Sequence, residues 1–399
     1  MKYLAILAAL VAPVAALSDP NPAEWDAVLA DAQGETVYWN AWGGSTTTND
    51  FLAWVGSRVA EDYGVTLEHV KLTDTADAVT RVLSEKQAGE DSDGAIDLIW
   101  INGANFAAMK EAGLLFGPYA EQLPNWAFVD VAGKTVQSDF TVPVEGYESP
   151  WAMAQVVFVH DTADMPERVG SMAALLDWAK ANPGRFSYPQ PPDFLGTTFL
   201  KQVLVDILPD PSVLAAPATD ENYAEITAPL WAYLDELTPF LWREGKAYPA
   251  TGTAMFPLIA DEEIDLSISF SPGAASTAIA NYELPDTVRT FVLDKGTIGN
   301  ASFVAIPYNS GSKAGAMVVA NFLMSPEAQV RAQDPAILGY GTVLDMAAIS
   351  PDERALFEGL DLGIATLSPA ELGTVQAEPH PSWAVRLADD WASRYGVAQ

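Results

Sequence analysis

The chain has no cysteine. Disulfides, thiolate metal sites and a cysteine nucleophile are therefore excluded, and so is a lipid-bearing cysteine behind an export signal. Basic residues are scarce, with 20 Lys and Arg against 53 Asp and Glu, for a formal net charge of −33. Such a surface repels nucleic acid and anionic membranes, so neither is an expected partner. Charge alone does not decide between a role in solubility and a role in attracting cations. Histidine occurs only as His69, His160 and His380, far apart in sequence. There is no Walker loop, no G-x-S-x-G elbow and no H-E-x-x-H pair. The stretch "EDSDGAID" (90–97) resembles a calcium loop, but its glycine and final glutamate are misplaced, and it reads as an acidic turn. No repeat and no low-complexity tract is found.

Long apolar runs are also missing beyond the N-terminus. Residues 1–17, "MKYLAILAALVAPVAAL", carry one early lysine, a short apolar run and the small-x-small site Val14-Ala15-Ala16. This reads as a secretory signal peptide. The run is too short for a membrane anchor and contains Pro13. The expectation is a soluble protein of the periplasm, exported and not lipid-anchored.

What is present is a globular composition, 49% apolar and 18% charged, in 399 residues. That length exceeds what one core usually serves, so two lobes are expected. Short apolar strands alternate with amphipathic helices: strands at 36–42, 65–72 and 95–101, helices at 50–63, 75–88 and 105–115. This alternation predicts an α/β fold whose parallel sheet carries a ligand crevice at the carboxyl ends of its strands. Residues 139–160 differ. Two extended apolar segments flank a polar centre, as expected of a crossing between lobes. Further helices are expected near 171–181, 197–208, 221–243 and 312–324. A strand and loop are expected at 263–273, and a strand pair at 290–307.

Four stretches together resemble a known family. They are "VYWNAWG" (37–43), "DLIWINGANFAAMKEAGLL" (97–115), "KAGAMVVANFLMSPEAQ" (313–329) and "GYGT" (339–342). Each is weak alone, but their order and spacing resemble the bacterial extracellular solute-binding proteins of ABC importers. The likeness is to the polyamine-, thiamine- and iron-binding cluster, in its YnjB-like branch. It implies a periplasmic-binding-protein fold with two discontinuous lobes joined by crossing strands. The ligand lies between them, and closure presents a surface to an inner-membrane ABC permease. The partition expected is 19–150 plus 270–302 for the first lobe and 151–269 plus 303–399 for the second. The protein is expected to be a monomer that is not an enzyme and needs no cofactor or metal.

Candidate ligand contacts follow from this frame. Trp39, Asn40 and Trp42 end the first strand, and alternation sends Trp39 and Trp42 to opposite faces. Either ring can be core material. Gly43, Gly44 and Ser45 form the next turn, where the glycines leave amides accessible and Ser45 can cap a helix. Asn102 and Asn105 follow the 95–101 strand at the crevice end. Trp151 lies in the first crossing, Phe270 and Ser271 in the second, Asn300 in the third. Asp193 could face a cation, while Thr197 and Thr198 open a helix whose amides suit an anion. Those two readings predict opposite ligand charges. An aromatic cage with Asp193 favours an amine or quaternary cation. A phosphonate or carboxylate at Thr197 is the alternative. Polyamine binders of the family carry an acid near 270–276, where this chain has Ser271-Pro272-Gly273. The iron binders use adjacent tyrosines, and no such pair occurs here. A secreted glycosidase using two carboxylates is the rival from another class, although no acid pair stands out.

Overall fold

The computed structural model describes residues 19–396; the signal-peptide reading of 1–17 lies outside them. The elements run α1 (Trp25–Asp31), β1 (Thr36–Trp42), α2 (Thr46–Tyr63), β2 (Thr66–Leu72), α3 (Ala76–Ala88), β3 (Leu98–Ile101) and α4 (Ala104–Glu111). A hairpin of β4 (Ser138–Asp139) and β5 (Val142–Pro143) precedes two nearly continuous strands, β6 (Glu148–Gln155) and β7 (Val157–Asp161). Next come α5 (Met172–Ala181), α6 (Phe194–Ile207), α7 (Tyr223–Leu237), α8 (Met255–Ala260), β8 (Leu266–Ser269), α9 (Ala274–Ala280), β9 (Val288–Phe291) and β10 (Thr297–Ala305). The chain finishes with α10 (Lys313–Leu323), α11 (Pro326–Gln333), α12 (Pro351–Glu358), α13 (Pro369–Leu372), β11 (Val375–Gln376) and α14 (Pro381–Tyr395).

Two sheets organise the molecule. In the first, β2, β1 and β3 lie parallel, β10 joins antiparallel to β3, and β6 pairs with β10. The second has the order β8-β7-β9, all antiparallel. Strand alternation sorts the side chains between layers. On the first sheet Val37, Trp39 and Ala41 face α2 and α10, whereas Ile99 and Ile101 face α3 and α4. On the second sheet Phe158 packs with α5, α6 and α7, while Val157 and Val159 pack with α8 and α9.

The sheets are linked where β6 passes into β7 and where the chain passes from β9 to β10. A third passage follows α12. Few-stranded passages of this kind permit lobe closure. The cores group the later segments differently from the sequence expectation. Side chains from 301–357 pack in the core of the first sheet, and those from 156–293 pack with Trp383, Leu387 and Trp391 around the second. The reason is the course of β10. Its start packs Ile298 into the second core, and it then inserts beside β3, carrying α10, α11 and α12 back to the first lobe. Residues after Ala365 then return to the second lobe.

On the hinge side the lobes touch backbone to backbone. The Gly273 amide donates to the Gly339 carbonyl at 3.1 Å, and a β-carbon at 273 would stand 2.4 Å from that oxygen. The helix 105–115 expected from sequence is the shorter α4, with Gly113 at φ +61 beyond its end. The region 221–243 resolves into α7 and short 3-10 turns, with Arg243 and Glu244 at positive φ.

Candidate functional site

At the carboxyl end of β3, Asn102 donates from Nδ2 to Asp139 Oδ1 at 3.2 Å and to the Ala301 carbonyl at 2.8 Å. The Gly103 amide donates to Asp139 Oδ2. Gly103 has φ +60, and any β-carbon there would meet the Phe140 ring at 2.7 Å. Only glycine lets the hairpin seat this closely. Within the hairpin, Phe140 and Thr141 have φ +54 and +142, in regions that side-chain-bearing residues rarely adopt. Strain of that kind persists where surroundings over-determine it, commonly at functional sites. Its effect here is to present Asp139 and Phe140 together.

The second lobe supplies the facing wall. Lys201 of α6 donates from Nζ to Glu378 Oε2 at 2.7 Å, and both side chains are almost fully buried. The same ammonium lies 4.4 Å from the centroid of Phe140, across the cleft, and 5.5 Å from that of Phe194. Phe270 meets Phe194 edge-on at 5.3 Å. Asn300 of β10 forms the floor and donates from Nδ2 to Glu378 Oε1 at 3.4 Å.

Burial controls the charge state of these acids. Asp139 is pushed up to about 7, mainly because burial disfavours its ionised form, against the Gly103 and Asn102 hydrogen bonds. Negative charge on Glu378 adds to the rise and Lys201 opposes it. Glu378 is raised by burial, with Lys201 holding it down. Behind Asp139, Glu148 is also fully buried, and neither of its carboxylate oxygens has a hydrogen-bond partner. Burial, with Asp139 adding to it, raises Glu148 well above the usual range.

Among the residues singled out from sequence, Asn102, Asn300 and Phe270 come together at this cleft. Asp193 caps α6, its Oδ1 accepting from the Leu195 and Gly196 amides at 2.9 and 3.2 Å. The Thr197 amide is bonded within the helix to the Asp193 carbonyl. Thr198 is fully buried one turn before Lys201. Trp39 and Trp151 lie in the first core, 6.3 Å apart and edge-on, and Phe51 stacks on Trp151 at 6.1 Å. Asn40 is buried on the opposite face of β1, level with Ile99. Trp42 is half-buried, its ring folded over Gly44, and Lys71 lies against Gly43. Ser45 accepts from the Thr48 amide as the cap of α2. Asn105 is half-buried in the first turn of α4, and Ser271 donates from Oγ to the Gly339 carbonyl at 3.3 Å. The sequence reading missed Asp139, Phe140, Phe194, Lys201 and Glu378. One signal was available, since Lys201 is the single charge in the otherwise uncharged run "FLGTTFLKQVL".

Two lobes on separate sheets, few-stranded passages and a polar, aromatic-walled cleft between them define a solute-binding protein. The chain belongs to the bacterial extracellular solute-binding protein family, whose profile matches residues 54–353. It is 43% identical over 377 residues to protein YnjB of Escherichia coli (strain K12), spanning 94% of this chain and 95% of that one. The periplasmic binding protein AfuA of Actinobacillus pleuropneumoniae, with fructose-6-phosphate bound, superposes with a TM-score of 0.62. The identity is 14%, over 91% of this chain and 99% of AfuA. The Trichodesmium protein IdiA (FutA), in complex with iron and citrate, gives 0.57 at 15% identity over 91% and 100%. These two likenesses speak to the fold alone. The protein is thus a solute-binding component of an ABC importer. Among the described residues no helix is long and apolar enough to cross a membrane, and no cluster of three or more His, Cys, Asp or Glu could hold a metal ion.

Proposed function

We propose that the protein captures a small ammonium-bearing organic solute between its lobes and passes it to the importer's permease. One observation carries this reading. Two carboxylates are buried here, Asp139 from the first lobe and Glu378 from the second; Glu378 acts electrostatically on Asp139, and among the described residues Lys201 is the one cation acting on either. An isolated buried carboxylate is unfavourable unless protonated or paired. A solute ammonium beside Asp139 would supply the pair, and Phe140, Phe194 and Phe270 offer ring faces to its carbon frame. The cation-binding role considered for Asp193 therefore passes to Asp139, since Asp193 serves its own helix.

The test is thermal unfolding and calorimetry against amines, anions and sugars. A solute at about 100 times its dissociation constant stabilises the folded form by about 2.7 kcal/mol, a shift of several degrees. Amines should produce it, and D139N should weaken them about 10- to 100-fold, as expected for a charge-assisted hydrogen bond. An amine response that survives D139N unchanged would refute the reading. Because the protein binds and does not transform, the solute should be recovered intact after prolonged incubation. Release of sugar from a glycoside would point to hydrolysis instead.

A further inference from the structure

One face of α6 carries more hydrogen-bond donors than the protein uses. Thr198, Lys201 and Gln202 are spaced i, i+3 and i+4, which places them side by side on the helix. Their exposures are 0%, 1% and 0%. Gln202 gives its carbonyl oxygen to the Ile298 amide at 2.8 Å, while its amide nitrogen has no partner. The Thr198 hydroxyl has none either. An ammonium has three N–H groups. Lys201 directs one to Glu378, and the phenyl faces of Phe140 and Phe194 lie beside the rest. Leaving buried donors unmet is destabilising by about 1–3 kcal/mol each, so the cluster makes sense when a ligand completes it. The main-chain amides at the helix start are not what remains available, because Asp193 and its carbonyl occupy those of Leu195, Gly196 and Thr197. The available donors are side chains, in the middle of α6.

Across the cleft stands Asp139, an acceptor that interacts electrostatically with both Lys201 and Glu378. The two walls therefore offer opposite chemistries: an acid on the first lobe and a group of donors with one fixed cation on the second. We infer that the solute carries an anionic oxygen group, carboxylate or phosphate, held by Thr198, Lys201 and Gln202, in addition to the ammonium held by Asp139. This rests on the ammonium reading above and narrows it to a zwitterion that bridges the lobes. Lys201 then determines specificity. It turns from the rings of Phe140 and Phe194 toward the solute's anion while Glu378 keeps it in place. A plain amine would leave the α6 donors unmet, and a plain anion would leave Asp139 unpaired.

The experiment compares three matched series by calorimetry on the purified protein. The zwitterions are ω-amino acids from glycine to 4-aminobutyrate, with O-phosphoethanolamine. The amines are the corresponding alkylamines and ethanolamine. The anions are the corresponding carboxylates and inorganic phosphate. The best zwitterion should bind at least tenfold tighter than its matched amine, and the better of carboxylate and phosphate identifies the anionic group. T198V and Q202L should each reduce that advantage several-fold. K201M/E378Q removes the ion pair as a unit and should abolish the advantage, bringing each zwitterion to the affinity of its matched amine in the same variant. Equal binding of zwitterions and amines, or an advantage intact in K201M/E378Q, overturns the inference and leaves the ammonium reading standing if D139N still weakens both. Anions that bind as well as zwitterions, with D139N silent, overturn the ammonium reading instead. Absence of binding in all three series overturns both.

Discussion

Two groups of aromatic rings lie within this molecule, and they behave oppositely. In the first core Trp151 is ringed by Trp39, Phe51, Trp100 and Tyr340, with centroids 4.8–6.3 Å away. Those rings meet one another, and tryptophan edges find aromatic faces. In the cleft Phe140 and Phe194 meet a lysine ammonium, and Phe194 remains 48% exposed. The residue types are alike. What separates scaffold from binding surface is the presence of charge between the rings and of opposed lobes behind them. An aromatic run in sequence is therefore a weak guide to a cleft. A buried charge beside an aromatic is a better one.

The contrast can be broken first at its strongest point. W151A should destabilise the protein by about 3–5 kcal/mol, as expected for truncating a core tryptophan, seen as a lowered urea midpoint. Solute affinity in the remaining folded protein should change little. Unchanged stability would mean that this ring is not the scaffold its neighbours imply.

The next effect is on pH. Asp139 holds its proton up to about 7 in the folded protein, whereas the unfolded chain releases it near 4. Between those values the folded state binds the extra proton, so stability falls as pH rises and levels off above 7. The contribution between pH 5 and pH 7 is about 2–3 kcal/mol. Urea midpoints across that range should show the slope, and D139N should lose part of it. Glu148 retains its own share, being raised for the same reason. Amine affinity should rise over the same interval, because the ammonium pairs with the ionised acid.

Smaller still is F140A. Removing one ring face from a partly desolvated ammonium is worth about 1 kcal/mol, so a severalfold loss of solute affinity is expected by calorimetry. The smallest is S45A, which deletes a helix cap at the turn first suspected of touching ligand. It should lower stability by about 0.5–1 kcal/mol and leave affinity unchanged. A large loss of affinity in S45A would bring the turn after β1 into the site.

Much of the scaffold was legible because it is local. Apolar alternation marks β1 and β2, and helical spacing marks α2 and α3, each within a few residues of its observed ends. The parity of β1 also separates Trp39 from Trp42, though parity alone does not say which face is the core. The cleft was less legible because its partners are remote. Lys201 meets Glu378 across 177 positions, and Asn102 holds a carbonyl 199 positions away. No spacing rule links such pairs. The course of β10 is a similar case, since the strand was expected but its insertion beside β3 depends on contacts that only the assembled sheet provides.

The approach of Gly273 to Gly339 has a mechanical meaning. With no side chain on either residue, the two lobes rest directly on one another at the hinge, and that contact sets the angle at which the cleft stands. A single methyl group at 273 would stand 2.4 Å from the Gly339 carbonyl oxygen, so it would force the lobes to shift against one another at this contact and change the angle between them. Capture strength in such a molecule can be tuned from behind, by geometry at the fulcrum.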